Sequence, residues 1–313
     1  MNLMRYKKQF VLVSVAAMVL SIVAWAVKGL NFGIEFTGGT SIRYPLAEKV
    51  TSAEVWAALD TPEIQALDLE LSPPQPYSYF DAESGTQKHG VLIQTRFITQ
   101  EEEEKILSAL GAAFGQLEAD SALQINQVEP VIGKEMLLNA FYAVLIAWVL
   151  MLIYIAVRFE FKSGVVSLLA LIHDVLCIIG VFALLGKEVD LSFVAAALTI
   201  IGYSINNTIV LFDRIRENMR FKQRTESYDE VVNLSLLQSL RRCLNTSLST
   251  ILAVLTLYLF GSPAIRDFML ALLIGLTVGT YSSAFLATPL WAIWKTAEEN
   301  EGPTGRLAVA KGK

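Results

Sequence analysis

The sequence predicts a polytopic α-helical membrane protein, with six transmembrane helices and a small α+β domain of ferredoxin-like order between helices one and two. Three observations lead there. The 313 residues are 54% hydrophobic and only 18% charged. The apolar residues gather into six runs, each near the ~20 residues that cross a ~30 Å hydrocarbon core: Phe10–Val27, Met136–Val157, Ser163–Gly186, Leu191–Phe212, Cys243–Ile265 and Phe268–Trp294. Between the first and second runs lies an acid-rich stretch long enough to fold by itself.

The first run follows Arg5, Lys7 and Lys8 and ends near Ala24-Trp25-Ala26, which imitates a cleaved secretory leader. Its apolar core exceeds the roughly 7–15 residues of a leader, so a retained anchor is expected over residues 1–28. Residues 29–135 form the inserted domain. Ile34–Tyr44 reads as a strand interrupted by Gly38-Gly39, and Thr51-Ser52-Ala53-Glu54 reads as a capping box opening a helix through Leu59. Pro73, Pro74 and Pro76 mark a loop. Val91–Phe97 alternates as a strand, Gln100–Glu118 has helical spacing, and Ala122–Val131 returns to strand character. Strand, helix, strand, helix and strand in this order suggest a compact α+β layer. The run Glu101-Glu102-Glu103-Glu104 reads as a solvated helix start, where acids meet the positive end of the helix dipole.

Helices two to four occupy residues 136–212. Residues 213–242 form a basic, amphipathic segment in which Val231, Val232, Leu234, Leu236, Leu237 and Leu240 alternate with polar residues, as in an interfacial helix. Helices five and six fill residues 243–294, and residues 295–313 are a tail. Basic excess in the N-terminal segment, in Arg158–Lys162, in Asp213–Arg242 and in the tail puts these four on one face, expected to be cytoplasmic. Both termini would lie there, with residues 29–135 on the other side. Cys177 and Cys243 fall in or beside runs and read as small packing residues.

Soluble-enzyme signatures are absent: no phosphate-binding glycine loop, no His/Cys set at metal spacing, no nucleophile with a base. No enzyme activity, cofactor, metal or nucleic acid is expected. The informative residues are polar ones inside the runs. Asp174 sits mid-run beside His173, where insertion scales assign a charge about 2.5–3.5 kcal/mol, so it needs a partner or a proton. His173 is not expected to be that partner, because adjacent helical residues do not face one another. Ser204, Asn206 and Asn207 interrupt the fourth run, and an unpartnered amide in hydrocarbon is costly, so both asparagines should face other helices or a wet cavity. Arg242, Thr246 and Ser247 open the fifth run; Gly275 and Gly279 in the sixth permit close helix packing. Asp213 lies at the cytoplasmic end, where anchoring to Arg216 or to backbone is expected.

Several ordered motifs together resemble the SecF branch of the SecD/SecF protein-export family, within the resistance-nodulation-division superfamily. They are Gly29-Leu30-Asn31-Phe32-Gly33-Ile34-Glu35-Phe36-Thr37-Gly38-Gly39-Thr40 after the first run, Leu171-Ile172-His173-Asp174-Val175 in the third, and Gly202–Asn218 in the fourth. Arg242 with Thr246-Ser247, and Gly275 through Ser283, extend the match over nearly the whole chain. The resemblance implies a bacterial inner-membrane subunit that pairs with SecD beside the SecYEG channel, with YajC and the YidC insertase as further partners. Using the proton-motive force, it would help to draw an unfolded preprotein outward through lipid-embedded machinery.

Two positions depart from the family pattern. Glu35 stands for the more common Asp. Asn207 occupies the place of the aspartate thought to carry the proton, and an amide cannot titrate. Open explanations are an engineered chain fixed in a protonated-like state, a natural chain using another carboxylate, and a partner that supplies the group. The resemblance places Asn207, Arg242 as its cationic counterpart and Asp174 at the proton-coupling site, with Asn206, Ser204, Thr246, Ser247 and Asp213 in support. A non-catalytic scaffold for the channel and insertase, and a small-molecule or lipid exporter, are the alternative readings.

Overall fold

The protein is described from a computed structural model covering residues 2–81, 86–115, 123–223 and 225–301. A 3-10 turn, Leu3–Tyr6, leads into α1 (Lys7–Lys28). The inserted domain then runs β1 (Asn31–Phe32), α2 (Ile34–Thr37), β2 (Gly39–Leu46), α3 (Ser52–Leu59), α4 (Pro62–Gln65), β3 (Gln75–Asp81), β4 (Thr86–Thr95), α5 (Gln100–Phe114) and β5 (Gln124–Val128). Next come α6 (Pro130–Arg158), α7 (Phe161–Leu185), β6 (Glu188–Val189), α8 (Leu191–Met219), α9 (Tyr228–Phe260), α10 (Pro263–Ser282), a π-helical turn over Ser283–Ala287, and α11 (Thr288–Glu301).

Among the described residues, six helical segments are long and apolar enough to cross a membrane. Large side chains such as Leu12, Leu20 and Val157 are two-thirds or more exposed on α1 and α6. Such a surface belongs in lipid, so the chain is a multi-pass membrane protein. The centre of the bundle is built by α7, α8 and α10, where Ile178, Phe182, Phe193, Ala196, Ile200 and Ala271 are buried. Helix α1 lies directly on α7. A Cβ on Gly180 would fall 2.5 Å from the Ser21 Cα, a contact that only glycine permits.

In the inserted domain, β3, β4, β2 and β5 form one antiparallel sheet in that spatial order. Its apolar face, with Ile42, Tyr44, Val91 and Ile93, packs against Val55 and Leu59 of α3 and Ile106 and Leu110 of α5. Capping boxes start both helices: Thr51 with Glu54, and Thr99 with Glu102. Glu102 also pairs with Arg96 at 2.6 Å, and its carboxyl is held down at about 2, first by that bond and then by the Thr99 amide.

Several elements differ from the sequence reading. Ile34–Thr37 is a helical turn rather than strand, and the strand starts only at Gly39, because Gly38 (φ 74°) and Gly39 (φ 126°) place a sharp corner between them. The proline-rich segment extends into an unanticipated strand, β3, which tolerates Pro76 because it is a sheet edge. Of the Gln100–Glu118 helix, residues 100–114 are helical, while 116–118 lie outside the described residues. Pro130 and Val131 open α6 instead of continuing a strand. The amphipathic segment after residue 227 is continuous with the membrane helix as the first half of α9. Val232 and Leu236 pack with Leu3, Met4, Phe212 and Trp291, whereas Leu234 and Leu237 are exposed.

Gly180→Val should separate α1 from α7 and lower the unfolding midpoint in detergent, corresponding to about 1–3 kcal/mol for an overpacked core. Gly202→Ala, whose Cβ would meet nothing within 4 Å, should leave that midpoint unchanged or raise it.

Candidate functional site

The polar residues of the bundle form two neighbouring clusters. In the first, α7 supplies Asp174, 1% exposed, to which Ser204 of α8 donates through Oγ to Oδ2 at 2.7 Å. His173 Nδ1 lies 3.1 Å from Asp174 Oδ1, and its Nε2 lies 3.6 Å from the Cys177 thiol. The expectation that His173 would not meet Asp174 is therefore corrected: short side chains on successive residues reach one another by local rotation even though their helical directions diverge. Gly279 of α10 makes the room. A Cβ there would lie 3.0 Å from the Ser204 Oγ and 3.3 Å from the Asp174 Oδ2.

Hydroxyls close the cluster towards the π-helical turn. Thr208 donates to the Ser204 carbonyl at 3.1 Å and approaches the Ser283 Oγ at 3.0 Å, and Ser283 reaches the Gly279 carbonyl at 2.7 Å. Sequence reasoning did not place Thr208 or Ser283 in the site. Thr208 stands at i+4 from Ser204, the spacing that puts it on the same helix face; Ser283 carried no comparable signal. Gly275 lies further along α10, where a Cβ would run into Ile200 and Ile178.

The second cluster joins α8 to α9. Asn207 is 3% exposed and donates its amide to the Ser247 Oγ at 3.2 Å. Asn206 is exposed, so the helices of this chain do not cover it. Arg242 is not bonded to Asn207: its side chain is exposed and makes no hydrogen bond or ion pair among the described residues, while its carbonyl accepts from Thr246 at 2.9 Å. Asp213 is exposed too and is not joined to Arg216, which donates instead to the Arg158 carbonyl.

These outward residues form a polar face at membrane depth: Thr199, Gly202 and Asn206 on α8, with Arg242, Asn245, Thr246 and Ser249 on α9. The hydroxyls of Thr199, Thr246 and Ser249 bond back to carbonyls one turn earlier. The Asn206 and Asn245 amides have no partner among the described residues. In hydrocarbon that is costly, so the face requires a second polypeptide or water. Among the described residues no group of three or more His, Cys, Asp or Glu side chains is placed to hold a metal. Asp174 brings a carboxyl group and His173 an imidazole into contact, whereas the Asn207 amide can only hydrogen-bond.

The family model described as protein export membrane protein SecD/SecF, C-terminal, matches residues 109–297, and the SecD/SecF GG motif matches residues 23–50. The protein translocase subunit SecF of Alicyclobacillus acidocaldarius is 36% identical over 98% of this chain and 97% of its own. The subunit SecDF of Bacillus subtilis is 35% identical over 93% of this chain but only 38% of its own. Crystallised SecDF of Thermus thermophilus, a translocon-associated membrane protein, superposes with a TM-score of 0.82 at 32% identity, over 95% of this chain and 39% of that one. A SecDF structure in a super-membrane-facing form gives 0.67. The chain thus spans about two-fifths of the SecDF chains.

Ser247→Ala should leave the buried Asn207 amide without its acceptor and cost about 1–3 kcal/mol of stability in detergent unfolding. Thr246→Ala, which removes an outward hydroxyl, should cost much less.

Proposed function

The chain belongs to the SecD/SecF family of protein-export membrane proteins, and from that premise we propose that it converts ion entry through the membrane into movement of its inserted domain during preprotein export. It is a SecF-type subunit of the protein translocase, with SecD as its partner, as the relatives that carry both in one chain support. The inserted domain reads as ferredoxin-like. Supporting this are its strand–helix–strand–strand–helix–strand sequence and its spatial order β3-β4-β2-β5. The distribution of lysine and arginine supports an inner-membrane orientation with both termini cytoplasmic and that domain outside. There it would meet unfolded preprotein leaving SecYEG, with YidC and YajC alongside.

The observation that carries the mechanism is the buried Asp174, held by Ser204 and in contact with His173. Its two oxygens are held by separate partners inside the bundle, and we read this carboxyl as the group that takes up and releases the proton. Proton uptake would cancel the charge that Ser204 stabilises and alter the α7–α8–α10 contact. One charge moved across 100 mV supplies about 2.3 kcal/mol, comparable to a few such contacts. Asn207 keeps the hydrogen bond across α8 and α9 but gives up titration, so Asp174 takes the proton-carrying role. The polar face with Asn206 and Arg242 turns to SecD, which supplies a counter-charge for Arg242, unpaired among the described residues.

In vesicles containing the complex, Asp174→Asn should abolish protonophore-sensitive export while leaving the subunit assembled with SecD. Asn207→Asp should raise it. Export that stays protonophore-sensitive in Asp174→Asn overturns the assignment, and export indifferent to Asp174, Asn207 and Arg242 alike favours the scaffold reading.

A further inference from the structure

A second group of acids lies outside the bundle, where the inserted domain joins it. The chain leaving α1 and the turn between α7 and α8 pair in parallel, Asn31 opposite Glu188 and Phe32 opposite Val189, and the Gly33 N–H donates to the Val189 carbonyl at 2.9 Å. Glu188 is only 9% exposed, and Gln94 on β4 donates to its Oε1 at 2.5 Å. That bond ties the α7–α8 turn to the sheet. Glu35, in the turn α2, points its carboxylate at the same place: a Cβ on Gly33 would lie 2.5 Å from the Glu35 Oε2 and 2.9 Å from the Glu188 Oε1. The Glu35 Oε2 is fully buried and has no hydrogen-bond partner. Two carboxyl groups thus converge on one glycine, with one acceptor oxygen left over, and a proton held between them would satisfy it.

We propose that Glu35 and Glu188 share a proton and so form a clasp between the membrane bundle and the inserted domain, closed when the proton is present and loosened when it leaves. The charges around the pair are unequal. Asp190 adds negative charge from the same turn while its Oδ1 caps α8 by accepting from the Phe193 N–H at 2.7 Å; Arg43 on β2 opposes it. Asp267 on α10 adds a weaker negative charge and is paired with Lys187 at 2.8 Å; Arg266 is occupied by the Ser78 carbonyl and the Tyr258 ring. Burial, followed by the charges of Glu35 and Asp190, lifts the Glu188 carboxyl to about 7, and burial raises Glu35 as well.

The sign follows from proton counts. Between the ordinary Glu value of 4.5 and about 7, the closed clasp holds more protons than an opened one. Closure is therefore strongest at low pH, weakens as pH rises through that window, and changes little above it. The clasp would sense acidity on the domain's side of the membrane. Its use in export rests on the outward orientation proposed above; the clasp itself does not.

The test uses the full chain in lipid nanodiscs, without SecD, preprotein or a gradient, so that its failure leaves the Asp174 assignment untouched. Spin labels at Glu104→Cys in α5 and Leu259→Cys in α9, with Cys177 and Cys243 replaced by Ala, report the separation of domain and bundle. Raising the pH from 5 to 8 should increase the population at long distance by at least about tenfold. Glu188→Gln and Glu35→Gln, each neutral and able to donate into the pair, should hold the short distance at pH 8. Gln94→Ala should lengthen the distance at both pH values yet keep the pH response, which a purely structural tie would lose. An unchanged distance between pH 5 and 8 in the parent protein, or a response that survives in the Glu35→Gln/Glu188→Gln double variant, overturns the proposal.

Discussion

The hydrogen bond between Ser204 and Asp174 organises the bundle around it. In hydrocarbon a carboxyl group has no water to turn to, so its partners must come from neighbouring helices and must stay in place. That requirement brings α7 and α8 into register and excludes any side chain at Gly279, and the hydroxyls of Thr208 and Ser283 then complete the seam. The π-helical turn at Ser283–Ala287 sits at the same level. Its wider backbone ring releases local carbonyls that small hydroxyl residues can reach, and such turns often occur at functional positions.

A different constraint governs the junction with the inserted domain, where backbone meets backbone. A Cβ on Gly38 would lie 2.4 Å from the Pro130 Cα, and one on Gly133 would lie 2.7 Å from the Gly38 N. The start of α6 is therefore seated directly on the glycine pair that turns α2 into β2. Close approach of this kind transmits displacement without slack, unlike a flexible linker. It places the carboxyl pair of Glu35 and Glu188 on a stiff hinge rather than in a loose loop.

Much of this architecture is legible in the sequence because hydrophobicity and capping act locally. The apolar runs locate the membrane helices, and Thr51 with Glu54 marks the start of α3. Asp174, Ser204, Asn207 and Ser247 stand out as polar groups in apolar surroundings. What local rules miss depends on tertiary partners. β3 is hidden by Pro76, which reads as a loop until the strand is seen at a sheet edge. The apolar pair Val232 and Leu236 looks the same in the sequence whether lipid or Trp291 covers it. The contact between His173 and Asp174 is a matter of rotamers, and Gly33 gives no sequence sign that two acids converge on it. Arg242, matched by motif to Asn207, is exposed and unbonded to it, a matter the sequence cannot show.

The continuity of α9 has a mechanical consequence. At about 1.5 Å per residue, its 33 residues form a rod of roughly 50 Å, well beyond the ~30 Å hydrocarbon core. One end is pinned to the N-terminal segment, where Lys7 grips Asp229 at 2.5 Å. The other carries Tyr258 beneath the Arg266 that reaches the β3 backbone. The two ties lie near opposite ends of one continuous helix, so a single rigid element joins the N-terminal segment to the sheet of the inserted domain.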